Sequence, residues 1–349
     1  MPRRLAWIKP NRVEVVEYED RELREDEVLI ETEYASGKHG TTLALFDNVN
    51  FRGKRFDQSM RLFIDANAGD ELGESRDAEP QNLGTTGVGT VVKVGPGVTR
   101  WKEGDRVFGL MDVRETNICK AGELWELGDI DPLEALCIEP AYVAFHAMRE
   151  SNVRYGDAVA VIGLGAIGLL AVQMAHQSGA DVVIAVDPFE KRREWARRHG
   201  AHFVLDPSQG DPALEIHTIT GGPGVDVAIE CAGRTEALQI AIRSTRMCGT
   251  VCSVGFYQGE SKGLWLGREW HHNRLTMVVP HGCGWGHPPR DYPRWTRERA
   301  YDAIISLMRQ GKLRADGLID PVVPLEQGPE VFRLIQENPG QVVKYAVRF

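Results

Sequence analysis

Two hydrophobic rhythms divide the chain. Up to about residue 145, short runs of alternating apolar and polar positions lie between Gly and Pro. EVLIETEY (27–34), GVGTVVKVG (87–95) and DRVFGL (105–110) are examples, and they predict the strands of a mostly β domain. Between Arg52 and Pro80 the rhythm fades into a polar stretch with charges of both signs, which predicts a long surface loop or lid. From about residue 157, apolar runs alternate with helix-period segments. AVAVIGLG leads into the helix IGLLAVQMAHQSGA, which Gly179 closes, and DVVIAVD into the helix FEKRREWARRHG. HFVLD, VDVAIECAG, a helix near 234–246, GTVCSVGF and RLTMVVP follow. This alternation predicts an α/β fold with a parallel sheet covered on both faces. The tail is mixed: a helix over about 297–310, IDPVVPL, a short helix at 328–336 and a closing strand, VVKYAVRF. No internal repeat or low-complexity segment interrupts the pattern.

Composition narrows the class of partner. A length of 349 residues suits two domains, and 42% hydrophobic with 26% charged residues is ordinary globular usage. A net charge of −9 gives no footing for nucleic acid, and Lys191-Arg192-Arg193 reads as solvated charge on a helix. No stretch reaches the ~20 apolar residues needed to span a bilayer. The start, MPRRLAWIKPNRVEVVEYE, turns polar after its two arginines and is not read as a secretory signal. The six cysteines (119, 137, 231, 248, 252 and 283) show no CxxC spacing, so neither a disulfide framework nor a zinc cluster is expected. The expectation is a cytoplasmic protein acting on a small molecule.

GLGAIG sets Gly163, Gly165 and Gly168 in a G-x-G-x-x-G pattern, with Ala166 and Ile167 between the last two. A strand precedes it, a helix follows, and Asp187 ends the next strand at the ~20-residue distance of a dinucleotide fingerprint. The glycines allow a tight turn and close approach of backbone to pyrophosphate, whose charge the helix N-terminus meets. Asp187 predicts NAD over NADP, because its carboxylate accepts from ribose hydroxyls and repels a 2′-phosphate. Arg192 has two readings, a phosphate partner or an exposed helix charge. Gly233 of ECAG and Gly255 of SVGF complete the expected cofactor-binding set.

These motifs, together with GDRV (104–107), GTVVKVGPGV (89–98), IEPAYVAFHA (138–147) and VVKYAVRF, resemble the medium-chain dehydrogenase/reductase superfamily. That superfamily contains the zinc alcohol, sorbitol and threonine dehydrogenases. The resemblance implies a GroES-like β-domain interrupted by a Rossmann domain, with the tail returning to the first. Boundaries are expected at 1–143, 144–284 and 285–349, and a homodimer or homotetramer is expected. The family's zinc-binding Cys corresponds to His39, and its Gly-His-Glu run to Gly84-Thr85-Thr86. Glu139 persists, in the Glu-Pro that often supplies a further ligand. The structural-zinc lobe is missing from 108–130, where Cys119 stands alone. Catalytic zinc takes three protein ligands plus water, so a metal here would need another ligand, such as His146. No metal is expected. EWHHNRLTMVVP and the stretch ending in RDYPRW look most like the branch containing bacteriochlorophyllide hydroxyethyl dehydrogenases.

Without zinc, a base or relay must remove the alcohol proton. Thr41 matches the family position that bonds the substrate oxygen, while the family's relay His is Ala44 here. His39 has a pKa suited to a replacement base, with Lys38 and Glu139 as further candidates. A buried, hydrogen-bonded His39 is the competing reading. Lys344 matches a family position that reaches the pyrophosphate; an exposed strand lysine is the alternative. His271, His272, His281 and His287, with Trp270, Trp285 and Trp295, read mostly as packing or interface, though some aromatics could wall a sugar site. The sequence thus points to an NAD-dependent, zinc-independent dehydrogenase of a secondary alcohol: a sugar, cyclitol or polyol interconverted with its ketone. An NAD-retaining isomerase, epimerase or lyase and a non-catalytic nucleotide-binding protein stay open beside it.

Overall fold

The computed structural model describes residues 1–8, 12–38, 53–66, 80–281 and 290–349. They form two compact units: Met1–Leu136 with Ile319–Phe349, and Cys137–Leu318. The strands in chain order are β1 Arg3–Ile8, β2 Arg12–Glu17, β3 Glu27–Ser36, β4 Lys54–Asp57, β5 Leu62–Asp65, β6 Gln81–Asn82, β7 Thr86–Val94, β8 Arg106–Gly109, β9 Thr116–Lys120 and β10 Leu124–Glu126. β11 Ala158–Ile162, β12 Val182–Val186, β13 Phe203–Leu205, β14 Val225–Glu230, β15 Thr245–Ser253 and β16 Thr276–Val278 follow, then β17 Ile319–Pro324 and β18 Lys344–Arg348.

In the first unit the main sheet runs β10-β8-β7-β3-β18-β17, with β9 also paired to β3. β3 sits at its centre, with Val28, Ile30 and Ala35 fully buried. A Cβ on Gly89 of β7 would lie 2.2 Å from the Glu31 carbonyl oxygen, so only glycine lets these two strands approach as they do. Val28, Ile30, Val91, Trp101, Val107 and Leu124 form one core. Leu5, Val331, Phe332, Ile335 and Tyr345 belong to another, into which the helix Gly328–Glu337 turns its apolar face. β18 pairs antiparallel with β3 through Val347↔Ala35. The tail therefore returns to the first unit, as the resemblance implied.

The second unit holds a parallel sheet of order β13-β12-β11-β14-β15-β16. β11 and β12 are buried on both faces, which explains their unbroken apolar runs. The chain winds outward from β11 to β13, then crosses back to β14 and winds the other way. In doubly wound sheets the usual ligand position lies at such a reversal, beyond the C-terminal strand ends.

The described residues depart from the expected organisation in two places. The unit boundary lies at 136/137, and 290–318 stay with the parallel-sheet unit. A cut at 143/144 would fall inside the helix Ile138–Glu150, and the helix Arg297–Arg309 packs on that helix through Tyr301 and Tyr142, rings 4.8 Å apart. The polar stretch after Arg52 also contains more than loop. β4 and β5 form an antiparallel hairpin with Phe56 opposite Phe63; residues 67–79 lie outside the described set.

Candidate functional site

The Gly-rich turn joins β11 to the helix Ala166–Gln177. Gly163 has φ +90°, a conformation that favours glycine, and a Cβ on Gly168 would sit 2.0 Å from the Gly163 carbonyl oxygen. Gly165 caps the helix without a side-chain hydrogen bond. The first-turn N–H groups, those of Ala166 and Ile167 included, have no intrahelical acceptors and suit an anion. Asp187 follows β12 and is 3% exposed. Its Oδ2 accepts the Leu164 N–H at 2.8 Å and its Oδ1 the Phe189 N–H at 2.9 Å, which leaves lone pairs for ribose hydroxyls.

Arg192 is not an exposed helix charge. Its guanidinium is mostly buried, 3.7 Å from Asp187 Oδ2 and over the Phe189 ring, because its helix opens directly beside Asp187. Burial pulls its pKa down while Asp187 pushes it up. Its neighbour Arg193 donates to the Asp187 carbonyl at 2.7 Å and pairs with Asp206 at 3.2 Å. Of the basic triplet read as solvated, at least these two are structural.

Gly233, with φ +67°, and Gly255 bring the turns after β14 and β15 together; a Cβ on Gly255 would lie 2.2 Å from Gly233 N. Glu230 joins them. It is fully buried, and its Oε1 accepts the N–H groups of Ala232 at 2.7 Å and Gly233 at 2.9 Å while Oε2 accepts the Tyr257 hydroxyl. Sequence reasoning missed Glu230 and Tyr257 as site residues. The available signal was an acid ending the otherwise apolar VDVAIE.

His39 and Thr41 lie outside the described residues, as do Ala44, Trp285 and His287. The chain leading up to them is described. Thr85 N–H donates to the Ser36 carbonyl at 2.9 Å. The Thr85 hydroxyl accepts the Lys38 N–H at 3.2 Å and donates to the Gly84 carbonyl at 2.7 Å. Thr86 is buried, and its hydroxyl oxygen makes no hydrogen bond. Threonines in place of the family's His-Glu therefore present two neutral hydroxyls, one of them already used to hold backbone. Among the described residues no three His, Cys, Asp or Glu side chains cluster as metal ligands would. The described part of the site thus offers fewer donors than the three a catalytic zinc takes, and position 39 lies outside it.

Lys344 is buried, 3% exposed, with Nζ donating to the Gly37 carbonyl at 3.2 Å, so the exposed-lysine reading is overturned. β18 is an interior strand here, buried from Lys344 to Val347 with only Arg348 exposed. Cys119 lies on β9, where burial pushes its thiol up to about 12.

Glu139 belongs to the second unit, in the first turn of Ile138–Glu150, and is buried near Tyr301. Burial and then the Glu139 charge push the Tyr301 hydroxyl up. His146 lies two turns further along that helix, 2% exposed, with neither ring nitrogen hydrogen-bonded and Tyr142 against its face at 4.5 Å. Burial holds its pKa down, favouring the neutral imidazole. Of the expected aromatic group, Trp270 packs against the parallel-sheet core, whereas Trp295 lies 5.0 Å from Phe145 and 4.2 Å from the Arg149 guanidinium.

A β-rich unit joined to a doubly wound sheet with a complete dinucleotide turn defines a two-domain, nucleotide-dependent dehydrogenase. Residues 24–127 match the alcohol dehydrogenase GroES-like domain, and residues 166–297 match the zinc-binding dehydrogenase model. D-guloside 3-dehydrogenase of Escherichia coli strain K12 is 38% identical over 99% of this chain and 100% of its own length. (R,R)-butanediol dehydrogenase of Bacillus subtilis strain 168 is 30% identical over 77% of this chain and 80% of its own. The crystal structure of 2R,3R-butanediol dehydrogenase from Bacillus subtilis superposes with a TM-score of 0.77 at 25% identity, covering 100% of both chains. The chain belongs to the medium-chain dehydrogenase/reductase superfamily, zinc-type. It is an oxidoreductase of the alcohol and polyol dehydrogenase kind, and its family points to a nicotinamide cofactor. No helix among the described residues is long and apolar enough to cross a membrane.

Proposed function

We propose that this protein oxidises a ring secondary alcohol of a hexose glycoside, with NAD as hydride acceptor and without zinc. The observation that carries the substrate class is the end-to-end similarity to D-guloside 3-dehydrogenase. The polyol and butanediol dehydrogenases match less of the chain.

Bound NAD supplies the carbon that accepts hydride. The chain's residues would orient it: Asp187 would take the adenine ribose, and the Gly163–Gly168 turn with the following helix N-terminus would take the pyrophosphate. NAD is preferred because Asp187 would face a 2′-phosphate; Arg192, already turned onto Asp187, is its counter-ion. Thr41 bonds the reacting hydroxyl, and its proton passes to His39, with Lys38 or Glu139 as the alternative acceptor. Thr85 holds the backbone at Lys38. With bound NAD as hydride acceptor, the chain's own part would be to take the hydroxyl proton, so that the alcohol would leave as a ketoglycoside with one proton released.

The test is NADH formation from methyl D-guloside and its epimers beside sorbitol and butanediol. Stoichiometric NADH with the glycosides supports the reading. Turnover without net NADH would move it to an isomerase or lyase, and a preference for acyclic polyols would overturn the substrate class.

A further inference from the structure

One buried carboxylate ties together three pieces of the nucleotide crevice. The Glu230 carbonyl accepts the N–H groups of Val254 at 2.8 Å and Gly255 at 3.1 Å. Its carboxylate holds Ala232, Gly233 and Tyr257, and the Ser253 hydroxyl donates to the Tyr257 oxygen at 3.1 Å. Ala232 in turn abuts the Gly-rich turn, since a Cβ on Gly163 would lie 2.7 Å from Ala232 N. The Gly163 turn, residues 231–233 and residues 253–257 therefore meet around Glu230. Burying a carboxylate is costly unless donors meet it, and here backbone amides and a phenol do so.

The sheet order says which half of the cofactor these turns face. β12, which leads to Asp187, lies on one side of β11, while β14 and β15 lie on the other. With adenosine at Asp187 and pyrophosphate at the helix N-terminus, the ends of β14 and β15 fall to the nicotinamide half. We infer that Glu230, with Tyr257 on its second oxygen, is a positioning residue for that half: it fixes the two turns against which nicotinamide riboside is laid. This rests on the dinucleotide reading above.

Calorimetric titration with NAD and with ADP separates the possibilities, because ADP carries adenosine and pyrophosphate without nicotinamide. The proteins compared are the parent, Tyr257→Phe, Glu230→Gln and Glu230→Ala, with circular dichroism to confirm folding. A lost hydrogen bond to a charged group corresponds to a roughly tenfold or larger change in affinity. NAD should weaken about tenfold in Tyr257→Phe and further in Glu230→Ala, with ADP nearly unchanged. Glu230→Gln, which keeps an acceptor for the two amides, should be milder than Glu230→Ala. If Glu230→Ala does not fold, Tyr257→Phe decides alone, since it removes a single hydroxyl. Equal weakening of NAD and ADP would show a merely structural role, and unchanged NAD binding in Tyr257→Phe would remove the role altogether. A parent that bound neither ligand would sink the dinucleotide reading itself, and this inference with it.

Discussion

The Thr85 hydroxyl accepts the backbone N–H of Lys38 at 3.2 Å. The same oxygen donates to the Gly84 carbonyl at 2.7 Å, so the side chain at the family's zinc-histidine position secures backbone on two sides.

Removing that hydroxyl should have a measurable cost. Thr85→Val keeps the shape but loses both bonds, and should lower stability by about 1 kcal/mol in denaturant unfolding. Turnover should fall by roughly tenfold if the backbone at Lys38, a proposed base, is part of the reacting geometry. Unchanged turnover with lowered stability would confine Thr85 to a structural role.

Asp187→Ala should narrow or reverse the preference for NAD. Both the ribose hydrogen bonds and the repulsion of a 2′-phosphate disappear, and Arg192 is released from its carboxylate partner 3.7 Å away. Equal affinity of the parent for NAD and NADP, by calorimetry, would remove the basis for this prediction.

His39→Ala should cut turnover by about 10²–10⁴ while leaving NAD affinity intact. Oxidation by the parent should rise with pH as the imidazole, ordinarily near ~6.5, loses its proton. A variant with the parent's rate and pH profile would make His39 a packing residue and pass the role of base to Lys38 or Glu139.

Acid should reveal a different group. Glu27 accepts from Arg21 at 2.6 and 2.7 Å and from the Arg24 N–H at 2.9 Å, and these bonds, Arg21 foremost, lower its pKa to about 2. A carboxyl whose folded pKa is depressed adds stability above its unfolded pKa of 4.5, and that stability is lost as pH falls toward about 2. Glu27→Gln should therefore be less stable than the parent at neutral pH and lose less on acidification across that window. Parallel stability curves for the two proteins would contradict the assignment.

Much of the nucleotide unit was legible because its determinants are local. GLGAIG and Asp187 are read from spacing, and strands buried on both faces show as continuous apolar runs. The returning strand β18 carried a recognisable closing sequence. Other features depend on tertiary partners. Arg192 and Lys344 look like surface charges in sequence, but their burial comes from Asp187 and from the interior position of β18. Glu230 was quoted inside ECAG without being singled out, since only the approach of residues 253–257 makes it a hub. IEPAYVAFHA reads as a family motif in sequence; in the structure it lies within the continuous helix Ile138–Glu150.

In the proposed function a zinc-type scaffold oxidises a glycoside without zinc. The most direct measurement is NADH formation from methyl D-guloside by chelator-treated protein, with elemental analysis of the same sample. The account predicts full turnover at zinc contents well below one per chain, with no gain on adding zinc. Activity that disappears with the chelator and returns in proportion to added zinc would contradict it.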